Sequence, residues 1–474
     1  MSIIESRYFD AAPIRIDVDS FDPVTGATSV TVTMYSTTAS LTAEDFHIVL
    51  IEEDVNTVPP NYDDTHVTRA VYNDTITLTG AGNTATFSTT FTIDPTWNTD
   101  NLRAVAFVQL ADQSIIQTGS SDPMPDFKIR AMAPFSRTEL GPSSGTFETD
   151  PVTFMNTGLT ETFTVQLVID EAPAGWTVAF RDGGGTVHTD PYAFGLTADE
   201  QTTFTALITP SSPGFMRYHF EVTSTNLSRP LEVSFVYITD DVDALIVDDD
   251  GGESYEDYFT EAMDTAGKSY GIWNRSSDPL TAEVAQTFDV LIWNAGWAFP
   301  TLDADDKLFL ADYLDDGNSL FLSGQDIGWE LNDPGASPDP VWYHTYLHAN
   351  YVRDDTNIMD LYGVAADPIT DGLTLHIAGG TGANHQQYPD EISAYDADAT
   401  EILYYQSDGC GAIRSTDSVS GAKVVYLGFG FEGIDDAQDR HDLLTPALDW
   451  LRGPDVFADD FESGDTSAWT AASP

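Results

Sequence analysis

A change of hydrophobic period at Ala244 constrains this chain more than any other feature. Upstream of it, apolar residues alternate with Thr and Ser, as in Ser29-Val30-Thr31-Val32-Thr33-Met34-Tyr35 and in residues 84–93. A period of two belongs to pleated strands with one face buried. Downstream, Ala244-Leu245-Ile246-Val247, Asp289-Val290-Leu291-Ile292-Trp293, Ser319-Leu320-Phe321-Leu322-Ser323 and Lys423-Val424-Val425-Tyr426-Leu427 are short continuous apolar runs. Such runs are expected of strands covered on both faces, as in a parallel sheet. Helical spacing falls between and after them, at 255–266, 303–314 and 440–451, with Asp303 placed as an N-cap and Gly267 as a C-cap. The expected fold is therefore multidomain. Two all-β sandwiches at 1–128 and 129–241 precede an α/β three-layer parallel-sheet domain at 242–453. A polar tail, 454–474, is expected to be poorly ordered. The turn-rich stretch 330–420 reads as an insertion with its own short strands.

Composition narrows the function. Asp and Glu number 77 against 18 Lys and Arg, a formal charge of −59 on 474 residues. Nucleic-acid binding requires a basic footprint, which this chain lacks, and an anionic membrane surface would repel it. No apolar run reaches the roughly 18 residues of a membrane span. A single cysteine, Cys410, excludes an intrachain disulfide or a multi-cysteine metal site and reads as a buried structural thiol. The start, Met1-Ser2-Ile3-Ile4-Glu5, has no basic region followed by an apolar core, so it does not read as a signal peptide. The expectation is a piece of a longer exported chain, extracellular or on the cell surface.

The stretches 244–252, 289–297, 319–329 and 424–434, with the helix to Leu451, resemble the class I glutamine-amidotransferase-like superfamily. The version resembled is the flavodoxin-like domain of large secreted bacterial proteins. That family carries a nucleophilic cysteine at a sharp strand-to-helix turn. In Ser323-Gly324-Gln325-Asp326-Ile327-Gly328 the corresponding position is Gln325, and Gly430-Phe431-Glu432-Gly433 keeps a carboxylate without a histidine. The resemblance thus implies a fold with the glutaminase pair lost. Residues 46–54 and 101–120 resemble a β-sandwich of bacterial outer-membrane proteins. The second block looks like an immunoglobulin-like module, and 461–469 resembles a motif near the C-termini of exported bacterial proteins.

In an open parallel sheet, ligands bind beyond the carboxyl ends of the strands. The residues there are Asp248 and Asp249 (with Asp250), Asn294, Trp297, Gln325, Asp326, Trp329 and Glu432. Acids, amides and indoles in one cleft suit a sugar, stacked on an aromatic face and held through its hydroxyls. The alternative is that Asp248-Asp249-Asp250 only caps the following helix. The expected function is a non-catalytic binding set for glycan, extracellular protein or calcium. The alternative is a hydrolase using Asp326 and Glu432 in place of the lost Cys/His pair. No cofactor is expected. Calcium stays open as a ligand of the oxygen-rich loops, although Asp248-Asp249-Asp250-Gly251 lacks the spacing of a twelve-residue calcium loop. His344 and His348 have the i, i+4 spacing of a zinc helix without the intervening Glu, and read as a packed pair. Gly183-Gly184-Gly185 reads as a turn.

Overall fold

The computed structural model describes residues 13–453 except 35–39, 57–62, 111–113, 122–126, 135, 228, 276–277, 333–337, 355 and 407–408, and the side chains of 54–56 and 63–66. The expected C-terminal tail lies outside the described residues.

In the first block, a three-stranded sheet (Ile14–Phe21, Ala27–Met34, Thr84–Thr90) packs on a four-stranded one (Ser40–Asn56, Asp63–Thr79, Leu102–Gln109, Ile115–Ser120). The strand Leu102–Gln109 buries every second residue, as its alternation dictates. One core takes Val30 and Val32 from the first sheet and Phe46, Ile48, Ala104 and Ala106 from the second. Across that core, Phe46 stacks on Phe87 at 3.9 Å.

The second block is also a two-sheet sandwich. Phe154 and Phe204 come from one sheet, Phe163, Phe220 and Phe235 from the other, and all share one core. The expected turn at Gly183–Gly185 is present, held by Asp182 Oδ1, which accepts from Gly184 N at 3.0 Å and Thr186 N at 2.9 Å.

The C-terminal unit is built on one sheet of eleven strands. In chain order its elements are β1 (Ala244–Asp248), α1 (Glu256–Ala266), β2 (Tyr270–Asn274), β3 (Val290–Gly296), α2 (Ala304–Asp315), β4 (Ser319–Gly324), α3 (Ile327–Asn332) and α4 (Pro340–Tyr346). There follow β5 (Ala349–Arg353), β6 (Asp360–Gly363), β7 (Thr374–His376), β8 (Glu391–Ala394), β9 (Ala399–Tyr405), β10 (Cys410–Thr416), β11 (Lys423–Leu427) and α5 (Ala437–Arg452). The spatial order is β2-β1-β3-β4-β11-β10-β9-β6-β7, with β8 pairing both β5 and β10. The pairs among β2, β1, β3, β4 and β11 are parallel, and every pair beyond β11 is antiparallel. Asp303 caps α2 in a capping box with Asp306, and Gly267 closes α1 at φ 65°.

This corrects the expected fold class and the family assignment made with it. Strands make up 47% of the structure and helices 15%. The sheet is mixed rather than parallel, and α1–α5 with a short helix at Ala282–Ala285, six helices of 4 to 16 residues among the described residues, do not make the two complete helical layers expected. The stretch 330–420 carries short strands of its own, six among the described residues, from Ala349–Arg353 to Cys410–Thr416. Its strands extend the same sheet from β11 outward through antiparallel pairs, β10 on β11, β9 on β10 and β6 on β9.

The last two units are packed together. Phe215 and Ile238 of the sandwich belong to the C-terminal core. Buried Asp278 accepts at Oδ2 from Ser136 Oγ (3.0 Å), Arg137 N (2.9 Å) and Thr138 N (2.7 Å).

Candidate functional site

The carboxyl ends of β1, β3, β4 and β11 meet on one side of the sheet, because those strands run parallel in register. Gln325 follows β4 at a tight turn, where Asp326 takes φ 62°. The Gln325 side chain is fully buried. Its Oε1 accepts from Gln387 N at 2.7 Å and Tyr388 N at 3.1 Å, and its Nε2 lies 3.4 Å from His385 Nδ1. His385 Nε2 in turn lies 3.2 Å from Glu432 Oε1. Glu432 is fully buried, and its Oε2 has no hydrogen-bond partner. Gln386 braces this group, donating from Nε2 to Glu432 Oε1 at 3.3 Å and accepting at Oε1 from Gly430 N at 2.9 Å.

A histidine thus lies between Gln325 and Glu432, its Nε2 near Glu432 without a hydrogen bond, which corrects the reading that none accompanies Glu432. His385 sits in the loop between β7 and β8, far upstream in sequence, and no local motif marks it. Aromatic rings wall it in. Tyr255 meets it edge-on at 4.6 Å and Trp297 at 5.9 Å, and Trp297 lies 6.1 Å from Tyr388. Trp297 is 40% exposed, Tyr388 38% and Phe299 69%, so the aromatic rim faces solvent. Trp329, half-buried, lies 6.4 Å from Phe299.

Beside this rim lies an acidic cavity of about 230 Å³, lined by Asp248, Asp249, Asp250, Asp303 and Asp306 with Phe299 and Pro300. Burial, then the Asp250 carboxylate, pushes Asp248 up to about 8. Burial, then Asp306, pushes Asp249 up to about 7. Asp248 Oδ2 accepts from Asn274 Nδ2 at 2.7 Å, and Asp249 Oδ2 from Trp293 Nε1 at 3.2 Å. Asp250 holds the turn before α1, its carboxylate accepting from the backbone N–H groups of Gly252, Glu253 and Tyr255, while α1 itself has no side-chain cap. Asn294 is fully buried, its Nδ2 3.5 Å from Asp250 Oδ2.

The carboxylate pair of the hydrolase alternative falls into two groups. Asp326 does not join Glu432. It groups with Asp354 and Asp390, each offering a carboxylate oxygen within 4.8 Å of the others. His344 and His348, read as a packed pair, have separate partners, since α4 ends at Tyr346. The His344 ring stacks on Tyr395 at 4.1 Å, while His348 Nδ1 lies 2.9 Å from Asp396 Oδ2. Cys410 is buried as expected, and burial holds its thiol well above the ordinary range.

No protein-family model and no curated protein matches the chain. Among solved structures, a human ASH/PapD-like domain of CEP192 aligns at 14% identity and TM-score 0.16, over 25% of this chain and 89% of that one. The CARDB domain of a Pyrococcus furiosus protein, PF1109, described as a complex with di-metal ions, aligns at 18% identity and TM-score 0.16, over 25% of this chain and 90% of that one.

Proposed function

We propose that the protein is a non-catalytic set of binding modules, exported from the cell, whose strand-end rim takes a glycan. The observation that carries this reading is the exposed row of Trp297, Tyr388 and Phe299 beside a cluster of buried acids and amides. Aromatic faces stack on the apolar side of a sugar ring, and carboxylates accept its hydroxyl protons. Asp248 and Asp249, pushed up to about 8 and about 7, also donate in their neutral form near neutral pH.

The absence of a nucleophile at Gln325 supports a binding role over catalysis. A carboxamide cannot attack a carbonyl, and both ends of this one are engaged. Against the hydrolase alternative, Asp326 lies with Asp354 and Asp390 whereas Glu432 lies beside His385. No helix among the described residues is long and apolar enough to cross a membrane.

The test is retention on a panel of insoluble polysaccharides, with Trp297→Ala and Tyr388→Ala alongside. Binding to at least one glycan, weakened about tenfold or more by either substitution and accompanied by no released sugar, is the expected result. Equal retention of the wild type and both variants, or release of reducing ends, would overturn the reading.

A further inference from the structure

Asp390 immediately precedes β8 and is fully buried. Its Oδ2 accepts from Gly328 N at 2.7 Å and Trp329 N at 3.2 Å, at the start of α3. Its Oδ1 has no hydrogen-bond partner. The Tyr343 hydroxyl lies near it and Tyr405 donates to its backbone oxygen at 3.1 Å, and two acids complete its surroundings. Asp326, from the turn after β4, and Asp354, from the loop after β5, each bring a carboxylate oxygen within 4.8 Å of it and of one another. Arg353, the cation adjacent in sequence, is engaged elsewhere, donating to Glu391 Oε2 at 2.5 Å.

A buried carboxylate with an empty oxygen, beside two more acids, is costly unless a proton or a cation neutralises it. A proton answers one charge, whereas three converging carboxylates offer more. Three oxygens within 4.8 Å of one another leave a shared ion no farther than about 2.8 Å from each, close to the calcium–oxygen range of about 2.3–2.6 Å. All-oxygen donors exclude soft metals, and calcium accepts an irregular shell completed by backbone carbonyls and water.

We infer that Asp326, Asp354 and Asp390 form a site for a hard divalent cation, calcium by its donor chemistry. The ion ties three segments distant in sequence: the turn that carries Gln325, the loop after β5 and the start of β8. Gln387 and Tyr388, just upstream of Asp390, hold Gln325 from the other side. Calcium thereby fixes the floor of the strand-end crevice. The inference does not depend on which ligand the crevice takes.

The experiment uses the full chain stripped with EDTA and titrated with calcium chloride alone by calorimetry, in high KCl so that diffuse adsorption to a strongly acidic surface is screened. Thermal unfolding is followed with and without the ion. Asp354→Asn, at a half-buried position, and Asp390→Asn each remove one donor. Asp396→Asn serves as a control in a separate acidic cluster. The expected result is one saturable site and a calcium-dependent rise in Tm, both kept in Asp396→Asn and weakened about tenfold or more in the other two. Asp390→Asn keeps the stability of the calcium-free wild type and loses only the response. The inference is overturned if no saturable site appears, or if Asp354→Asn and wild type respond alike. It is equally overturned if Asp396→Asn alone abolishes the response.

Discussion

Asp249→Asn tests whether the acidic cavity is held together against its own charge. Burial and the neighbouring Asp306 move the Asp249 carboxyl from 3.8 to about 7. Between those values the acid is neutral in the fold and ionised in the unfolded chain, so unfolding releases a proton and stability falls as pH rises. The loss begins above the unfolded value and is complete above pH 7. At about 1.4 kcal/mol per pH step, a fully charged Asp249 costs the fold about 4 kcal/mol. Water in the open cavity screens this toward about 2–3 kcal/mol. Asparagine keeps an oxygen for the Trp293 Nε1–H and carries no charge. Urea unfolding of wild type and Asp249→Asn at pH 4, 6 and 8 is the assay. The variant should match wild type at pH 4, gain part of the difference at pH 6, and be about 2–3 kcal/mol more stable at pH 8. A gain of equal size at pH 4 and pH 8, or a variant less stable than wild type at pH 8, would refute the reasoning. A charge kept at such a cost is a mark of sites selected for binding rather than stability.

Asp278→Ala should destabilise the chain by about 2–4 kcal/mol, because it orphans the buried N–H groups of Arg137 and Thr138; chemical unfolding followed by Trp fluorescence measures it, with Asp278→Asn milder. Gly363→Ala should cost about 1–3 kcal/mol, since a Cβ there would lie 1.8 Å from the Thr370 carbonyl oxygen; the shift in thermal midpoint checks this. Cys410 should resist alkylation in the native protein and react on addition of denaturant, as mass spectrometry would show, because it is buried and burial holds its thiol protonated.

The period-two segments were legible as sandwich strands, and the structure pairs them as such around Phe46 and Phe154. The apolar runs at 244–247, 290–293, 320–322 and 424–427 were legible as neighbouring strands. Parallel neighbours bring their carboxyl ends together, so the approach of Asp248, Asn294, Gln325 and Glu432 followed from local pattern alone. These features depend on periodicities that a few residues carry. The family-level fold did not follow, because the strands at 349–416 are short and weakly patterned. Their direction depends on hairpin closure against β11, which no local period encodes. The same limit hid His385 and separated Asp326 from Glu432. His385 reaches Glu432, and Asp354 and Asp390 reach Asp326, only after distant loops close over the sheet. Sequence by itself determined which residues stand at the strand ends. Tertiary structure alone decided which of them share a site, because that contact is set by the packing of the whole sheet and not by the spacing of any segment.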